Sequence, residues 1–303
     1  MHDDADGLTS GVLLTLVFKT EGVYCPKEFG QWPIVPMGEE MPPDVCCDMI
    51  PQNPKWKGLA FDHHPGHVEE SKRNYKLVLG EVPATLVVYR LFNEVIPPEH
   101  KWKVAVGLVG DGKAELIPPE IWKAYPSLLA NHASVWEKYG KLSFGNFPIY
   151  LKLSAPINAA CKIPDKWYMA YQVLRNARTP FDILEDKPLL AAKKVVKEEQ
   201  DSIIRETSAI NLRQWFRIWR ISSKFRIERT LAWRSEQTSH ITTLVINEDT
   251  KRCSMRGAMS EMVCQYLAKH GFHIHGHPGF SGGTIRPEQT VDEMCKVLQK
   301  MRI

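Results

Sequence analysis

Apolar residues run almost unbroken from Leu8 to Phe18, interrupted only by Thr, Ser and Gly, which predicts a helix buried on all sides over 8–19. Three shorter apolar runs of strand length follow, Asp44 to Cys47, Gly58 to Phe61 and Tyr75 to Leu79. The first two end directly in a carboxylate, Asp48 and Asp62. A strand, a polar residue and then a helix is the way an open α/β sheet sets ligands at the carboxyl ends of its strands. Helical spacing returns over 83–95 and 99–109, and the second stretch stops at the turn Gly110-Asp111-Gly112. Residues 118–180 are helical in pattern and rich in Pro and Trp, and a charged helix, 189–212, then reads as a connector. Beyond it the pattern predicts a strand at 216–221, a helix at 223–234, strands at 241–247 and 252–256 and a helix at 259–270. A Gly/His loop, 271–283, and a helix from Pro287 complete the chain. The expected architecture is α/β: a parallel-sheet domain over 1–183, a helical linker over 184–212 and a smaller α/β domain over 213–303, with a cleft between the domains.

Composition adds limits. With 303 residues the chain has room for two domains of roughly 100–200 residues each. Its 44% hydrophobic content excludes general disorder. A net charge of +4 permits an anionic substrate without requiring one. The seven cysteines contain no C-x-x-C pair, so reduced, mostly buried thiols are expected, as in a cytoplasmic protein. The apolar run near the start is shorter than the roughly 20 residues of a membrane span, and Met-His-Asp-Asp offers no basic leader. A soluble, intracellular protein without membrane partners is expected.

The chemistry lies in His2-Asp3-Asp4-Ala5-Asp6-Gly7, Asp48, Asp62-His63-His64 and Asp111. Carboxylates and imidazoles together suit two neighbouring divalent cations such as Mn²⁺, which activate water for attack on phosphorus. His2, Asp4 and Asp6 alternate, so an extended segment points them the same way. An EF-hand is excluded because Leu13 stands where its bidentate Glu belongs. An acidic surface turn is the alternative for that first string alone. Two imidazoles beside a carboxylate at the end of a buried strand are harder to explain as a solvated loop.

In this order the strings resemble the motifs of the DHH phosphoesterase superfamily: His2/Asp4/Asp6 the first, Asp48 the second, Asp62-His63-His64 the third and Asp111 the fourth. The resemblance implies a metal-binding domain followed by a DHH-associated domain that recognises substrate. It implies two divalent cations, Mn²⁺ or Mg²⁺, bridged by Asp48: one held by His2 and Asp4, the other by Asp6, His63 and Asp111. His64 would face the scissile phosphate, and Asp62 would orient its histidine neighbour. Ala155 to Lys162, with Asn158-Ala159-Ala160, resembles a motif of RecJ-type single-strand exonucleases, although Cys161 and Lys162 replace the expected Gly and Arg. That places Asn158 among the substrate contacts. Gly271 to Gly283 resembles the Gly/His signature of the DHH-associated domain, with His275, His277, Gly282 and Gly283 as phosphate contacts. A metal-binding His tract is the alternative for that string. Ser254 to Gly257 resembles the companion strand, and makes Arg256 a phosphate or base contact. The implied substrate is single-stranded DNA or RNA. Short oligonucleotides, cyclic dinucleotides or a nucleotide, and a non-catalytic nucleic-acid binder, remain as alternatives.

Residues 213–234 hold seven Arg/Lys against one acid, interleaved with Trp215, Phe216, Trp219, Phe225 and Trp233. Such a mixture can bind single strands. Rings in the core with charges on a solvated face is the preferred interpretation. Met1 stands directly before His2, where an open sheet needs a strand leading in. An upstream start or a fragment is therefore expected, and low stability or weak activity in protein made from residue 1.

Overall fold

Each predicted strand of the first domain forms, and the three pair in parallel in a computed structural model of the chain. The structure describes residues 1–20, 45–48, 57–63, 76–79, 81–129, 148–272, 274–277 and 279–301. They divide into two compact units, Met1–Cys161 with Asp165–Lys193, and Lys162–Pro164 with Lys194–Ile303.

In the first unit, β1 (Val45–Cys47), β2 (Leu59–Asp62) and β3 (Lys76–Leu79) lie in the order β1-β2-β3. Helix α1 (Ala5–Phe18) packs against α2 (Ala84–Phe92), α3 (Val104–Gly110) and the helix Trp167–Asn176. It starts three residues earlier than its apolar run because Asp4 caps it, accepting a hydrogen bond from the Gly7 N–H. Leu8, Val12 and Leu13 are fully buried, each worth about 1.5–3 kcal/mol on transfer from water. The stretch expected to be helical over 99–109 is a 3₁₀ turn, Pro98–Lys103, continuing into α3. Further helices are Pro119–Ala124 (α4), Tyr150–Lys162 (α5), Trp167–Asn176 (α6) and Pro180–Leu184 (α7).

The charged helix α8 spans Lys187–Glu206 and stops short of the expected Leu212. Thr207 turns its hydroxyl back to the Ile203 carbonyl, and Ile210–Arg213 becomes strand β4, antiparallel to β5 (Phe216–Ile221). The second unit's sheet adds β6 (Thr242–Asn247), β7 (Arg252–Gly257), β8 (Ile274–His277) and β9 (Gly279–Thr284), in the order β4-β5-β6-β7-β9-β8, with β5 and β6 parallel and all other pairs antiparallel. Its strands β6 and β7 lie where predicted. One face packs Phe216, Ile218, Leu244, Ile246 and Met255 against α10 (Ser260–Lys269) and α11 (Val291–Lys300). Helix α9 (Glu228–Ser239) packs against β6 and β7.

Helix α9 lies five residues beyond its predicted position. The Ser223 hydroxyl accepts from the Phe225 N–H, and the Asn247 amide takes the Ser223 N–H and the Phe225 carbonyl, which fixes a turn there instead. The expected Gly/His loop is a hairpin, β8 (Ile274–His277) and β9 (Gly279–Thr284), because pairing with β7 from Gly257↔Gly279 to Arg252↔Thr284 outweighs the weak strand preference of glycine. Of the five rings in 213–234, Phe216, Trp219 and Phe225 are buried, Trp215 packs against the core and Trp233 is exposed. Five of the six cysteines among the described residues are buried. No helix among them is long and apolar enough to cross a membrane.

Candidate metal centre

Parallel pairing of β1 with β2 sets Cys47 opposite Phe61, so the next residues, Asp48 just past β1 and Asp62 as the last of β2, lie at the same end of the sheet. Asp48 adopts a left-handed backbone (φ 58°), which Asp tolerates better than most residues, and its N–H donates to the Phe61 carbonyl at 2.8 Å. The His2 N–H donates to the Cys47 carbonyl at 3.2 Å, drawing the first string alongside Asp48. Gly7 is needed at this point, since a Cβ there would lie 2.3 Å from the His2 carbonyl oxygen. Gly110 has the same role opposite Ala5, whose Cβ would be 2.5 Å away, and this close approach brings Asp111 to the start of α1.

These constraints gather two sets of ligand atoms, His2/Asp4/Asp48 and Asp6/Asp48/His63, each within 4.8 Å. Asp48 belongs to both. Its Oδ2 is 3.3 Å from His2 Nδ1, and its Oδ1 is 3.2 Å from His63 Nε2. His2 Nδ1 also meets Asp4 Oδ2 at 2.8 Å. His63 Nε2 lies 3.1 Å from Asp111 Oδ2 and 3.7 Å from Asp6 Oδ2. Asp62 is wholly buried at the end of β2 and stands in neither set. His64 lies outside the described residues.

Four carboxylates around two imidazoles are poorly balanced. Burial, followed by the charges of Asp48 and Asp111, pushes the Asp6 carboxyl well above its usual range. Burial also raises Asp111, against the opposing effect of its bond to His63. Burial alone would lower His63, but its bonds to Asp111 and Asp48 outweigh that and push it up to about 11. His2 rises for the same reason, through Asp4 and Asp48. A set of oxygen and imidazole donors that holds protons this tightly fits a pair of hard or borderline cations, which would replace the protons as the source of positive charge.

The residues that hold the ligands include some that the motifs do not mark. Both Asp6 oxygens accept backbone N–H groups at the start of α2, from Ala84 and Thr85, each at 2.9 Å. Helix α2 has no side-chain cap of its own, so Asp6 serves as its cap from another element. An uncapped Pro83-Ala84-Thr85 helix start was the only available sequence signal. Asn158, expected among the substrate contacts, places its Oδ1 2.8 Å from the Ala5 N–H.

No family model matches the sequence, and no curated protein matches it. Solved structures do. RecJ from Thermus thermophilus in complex with Mn²⁺ matches 98% of this chain at a TM-score of 0.64 and 14% identity, and the chain spans half of that protein. An exonuclease RecJ bound to manganese matches 98% of this chain and 86% of its own at a TM-score of 0.60 and 14% identity. The DHH domain of a member of the s1p family of ribosomal proteins matches the whole chain and 86% of its own at a TM-score of 0.59 and 14% identity. The chain has the DHH-type fold of RecJ.

Within the RecJ fold the remaining expected residues all lie in the second unit. Arg256 is half-buried on β7, and burial, then the neighbouring Arg229 charge, lowers its pKa. Gly282 on β9 pairs with Ser254 on one side and His275 on the other, while Gly283 pairs with Cys253 and Ile274. A Cβ on Gly282 would meet the Cys253 carbonyl oxygen at 3.2 Å, so a bare backbone is favoured there. His275 and His277 lie two residues apart on the edge strand β8.

Proposed function

We propose that the chain is a metal-dependent phosphodiester hydrolase of the DHH superfamily that cleaves single-stranded nucleic acid from an end. The observation that carries this is Asp48, with one oxygen turned to each of two ligand sets. His2, Asp4 and Asp48 would hold one divalent cation; Asp48, Asp6, His63 and Asp111 would hold the other. When bound, such a pair supplies Lewis acidity towards both water and the phosphate oxygens. Mn²⁺ is favoured because the ligand set mixes imidazole with carboxylate, and both RecJ structures described above carry manganese.

The side chains have separate tasks. Asp6, fixed by the N–H groups of Ala84 and Thr85, keeps its ligand geometry without rearrangement. By the family resemblance, His64 would face the scissile phosphate and offset charge on its oxygens. Asp62 orients the histidine beside it. Arg256, His275, His277, Gly282 and Gly283 hold the strand's phosphates, the glycines by letting backbone N–H groups come close. Reaction from an end is taken from the likeness to a protein named as an exonuclease.

The test uses end-labelled strands of several lengths, a dinucleotide and Mn²⁺. Progressive shortening of the strands supports the proposal, and Asp48→Ala should abolish it while leaving strand binding intact. Turnover of the dinucleotide alone would replace the substrate assignment and keep the chemistry. Unchanged activity in Asp48→Ala would end the bridging role. A non-catalytic binder is disfavoured because Asp6, Asp48 and Asp111 are all present.

A further inference from the structure

We infer that Asn158 is a positioning residue for the metal-binding turn rather than a substrate contact; this rests on the metal-centre reading above. The first N–H groups of a helix have no partner within it. In α1 these groups belong to the segment that carries the ligands. The Gly7 N–H is taken by Asp4 Oδ1 at 3.0 Å, so one ligand holds the turn from inside. The Ala5 N–H, between Asp4 and Asp6, is taken by Asn158 Oδ1 at 2.8 Å, from helix α5. Ala5 is itself fully buried, with its Cβ against Gly110. The backbone joining two ligands is therefore fixed at one atom by an amide far away in sequence and at another by packing.

The choice of amide follows from charge. A carboxylate would accept the same bond, but it would add negative charge beside Asp4, Asp6, Asp48 and Asp111. Asparagine supplies the acceptor without the charge. Ile157, Ala159, Ala160 and Cys161 around it are buried, so α5 is anchored and its amide is presented from a rigid element. A partner that orients ligands typically changes metal affinity by about 10–100-fold when removed.

The experiment titrates Mn²⁺ calorimetrically into the full chain as wild type, Asn158→Leu, which keeps the size and loses the acceptor, and Asn158→Asp, which keeps the acceptor. Asn158→Ala replaces the leucine variant if circular dichroism shows that Asn158→Leu does not fold. Expected are Mn²⁺ affinity at least tenfold weaker in the variant without an acceptor, wild-type or tighter affinity in Asn158→Asp, and a fall in kcat with KM for the strand little changed. A raised KM with unchanged Mn²⁺ affinity would assign Asn158 to substrate and overturn the inference. A lower melting temperature of the metal-free protein with unchanged Mn²⁺ affinity and kcat would also overturn it, as a purely structural role. If the wild type takes up no Mn²⁺, the metal-centre reading fails and this inference with it; if wild type and Asn158→Leu bind Mn²⁺ equally, only this inference fails.

Discussion

Gly110→Ala should damage the centre without touching a ligand. The added methyl carbon would sit 2.5 Å from Ala5 Cβ, against a comfortable separation of about 3.5–4.0 Å between carbons. Neither atom is the end of a flexible side chain, and Ala5 is fully buried, so backbone must move. Overpacking of this kind costs about 1–3 kcal/mol. The movement falls on the junction between Asp4–Asp6 and Asp111, so Mn²⁺ affinity should drop roughly tenfold or more. The rescue is specific. With Ala5→Gly in the same chain, the nearest atoms to the new methyl become Ala5 Cα and the Asp6 nitrogen, both at 3.5 Å and in ordinary contact. Ala5→Gly alone should cost about 0.5–1 kcal/mol through backbone freedom. The double variant should then cost little more than that, giving a coupling of about 1–3 kcal/mol. Urea denaturation of the metal-free protein measures the cycle, and Mn²⁺ titration measures the centre. Additive losses, or a Gly110→Ala protein as stable and as tight for Mn²⁺ as wild type, would refute the close approach as the device that sets Asp111.

Three further outcomes follow from the same geometry. Mn²⁺ binding at neutral pH should release protons, because His63, raised to about 11, is protonated without metal and must be neutral to act as a ligand; affinity should therefore rise with pH, and calorimetry in two buffers of different ionisation enthalpy counts the protons. A count of zero would contradict the electrostatics. Arg217→Met should cost about 1–3 kcal/mol in urea denaturation, since Arg217 donates to Thr243 Oγ1 at 2.8 Å, the Ser235 carbonyl at 2.7 Å and the Ser235 and Ser239 hydroxyls, while Mn²⁺ affinity stays at the wild-type value. Cys46, buried and pushed up to about 11, and Cys47, raised further by burial, should resist alkylation at pH 8 until denaturant is added, as mass spectrometry of the labelled peptides would show.

The elements around the centre were legible because each carries a strong local mark. An apolar run closed by an acid gave β1 and β2 within a residue or two, and the buried α1 showed as an unbroken apolar stretch. Legibility failed where tertiary partners decide. Glycines at 276, 279, 282 and 283 read as a loop, yet pairing of β9 with β7 and of β8 with β9 makes them strand residues. Ile210–Arg213 read as the tail of a helix until β5 is there to pair with it. At the centre, the acidic and imidazole side chains that gather there were visible in the sequence, but the Ala84 and Thr85 N–H groups that hold Asp6 were not, because every residue except proline carries that donor. Asn158 was visible, but its bonding partner was not.

The donors at positions 2, 4, 6, 48, 63 and 111 meet only after α1, β1, β2 and α3 have assembled. A denatured chain keeps only the local His2-Asp3-Asp4-Ala5-Asp6 string together, so most of the free energy of capture would count towards keeping the protein folded. If the centre takes up Mn²⁺ as proposed, free metal at a hundred times its dissociation constant would add about 2.7 kcal/mol in this way. On the proposed reading, starvation for the metal would then lower the catalytic rate and expose the chain to proteases together.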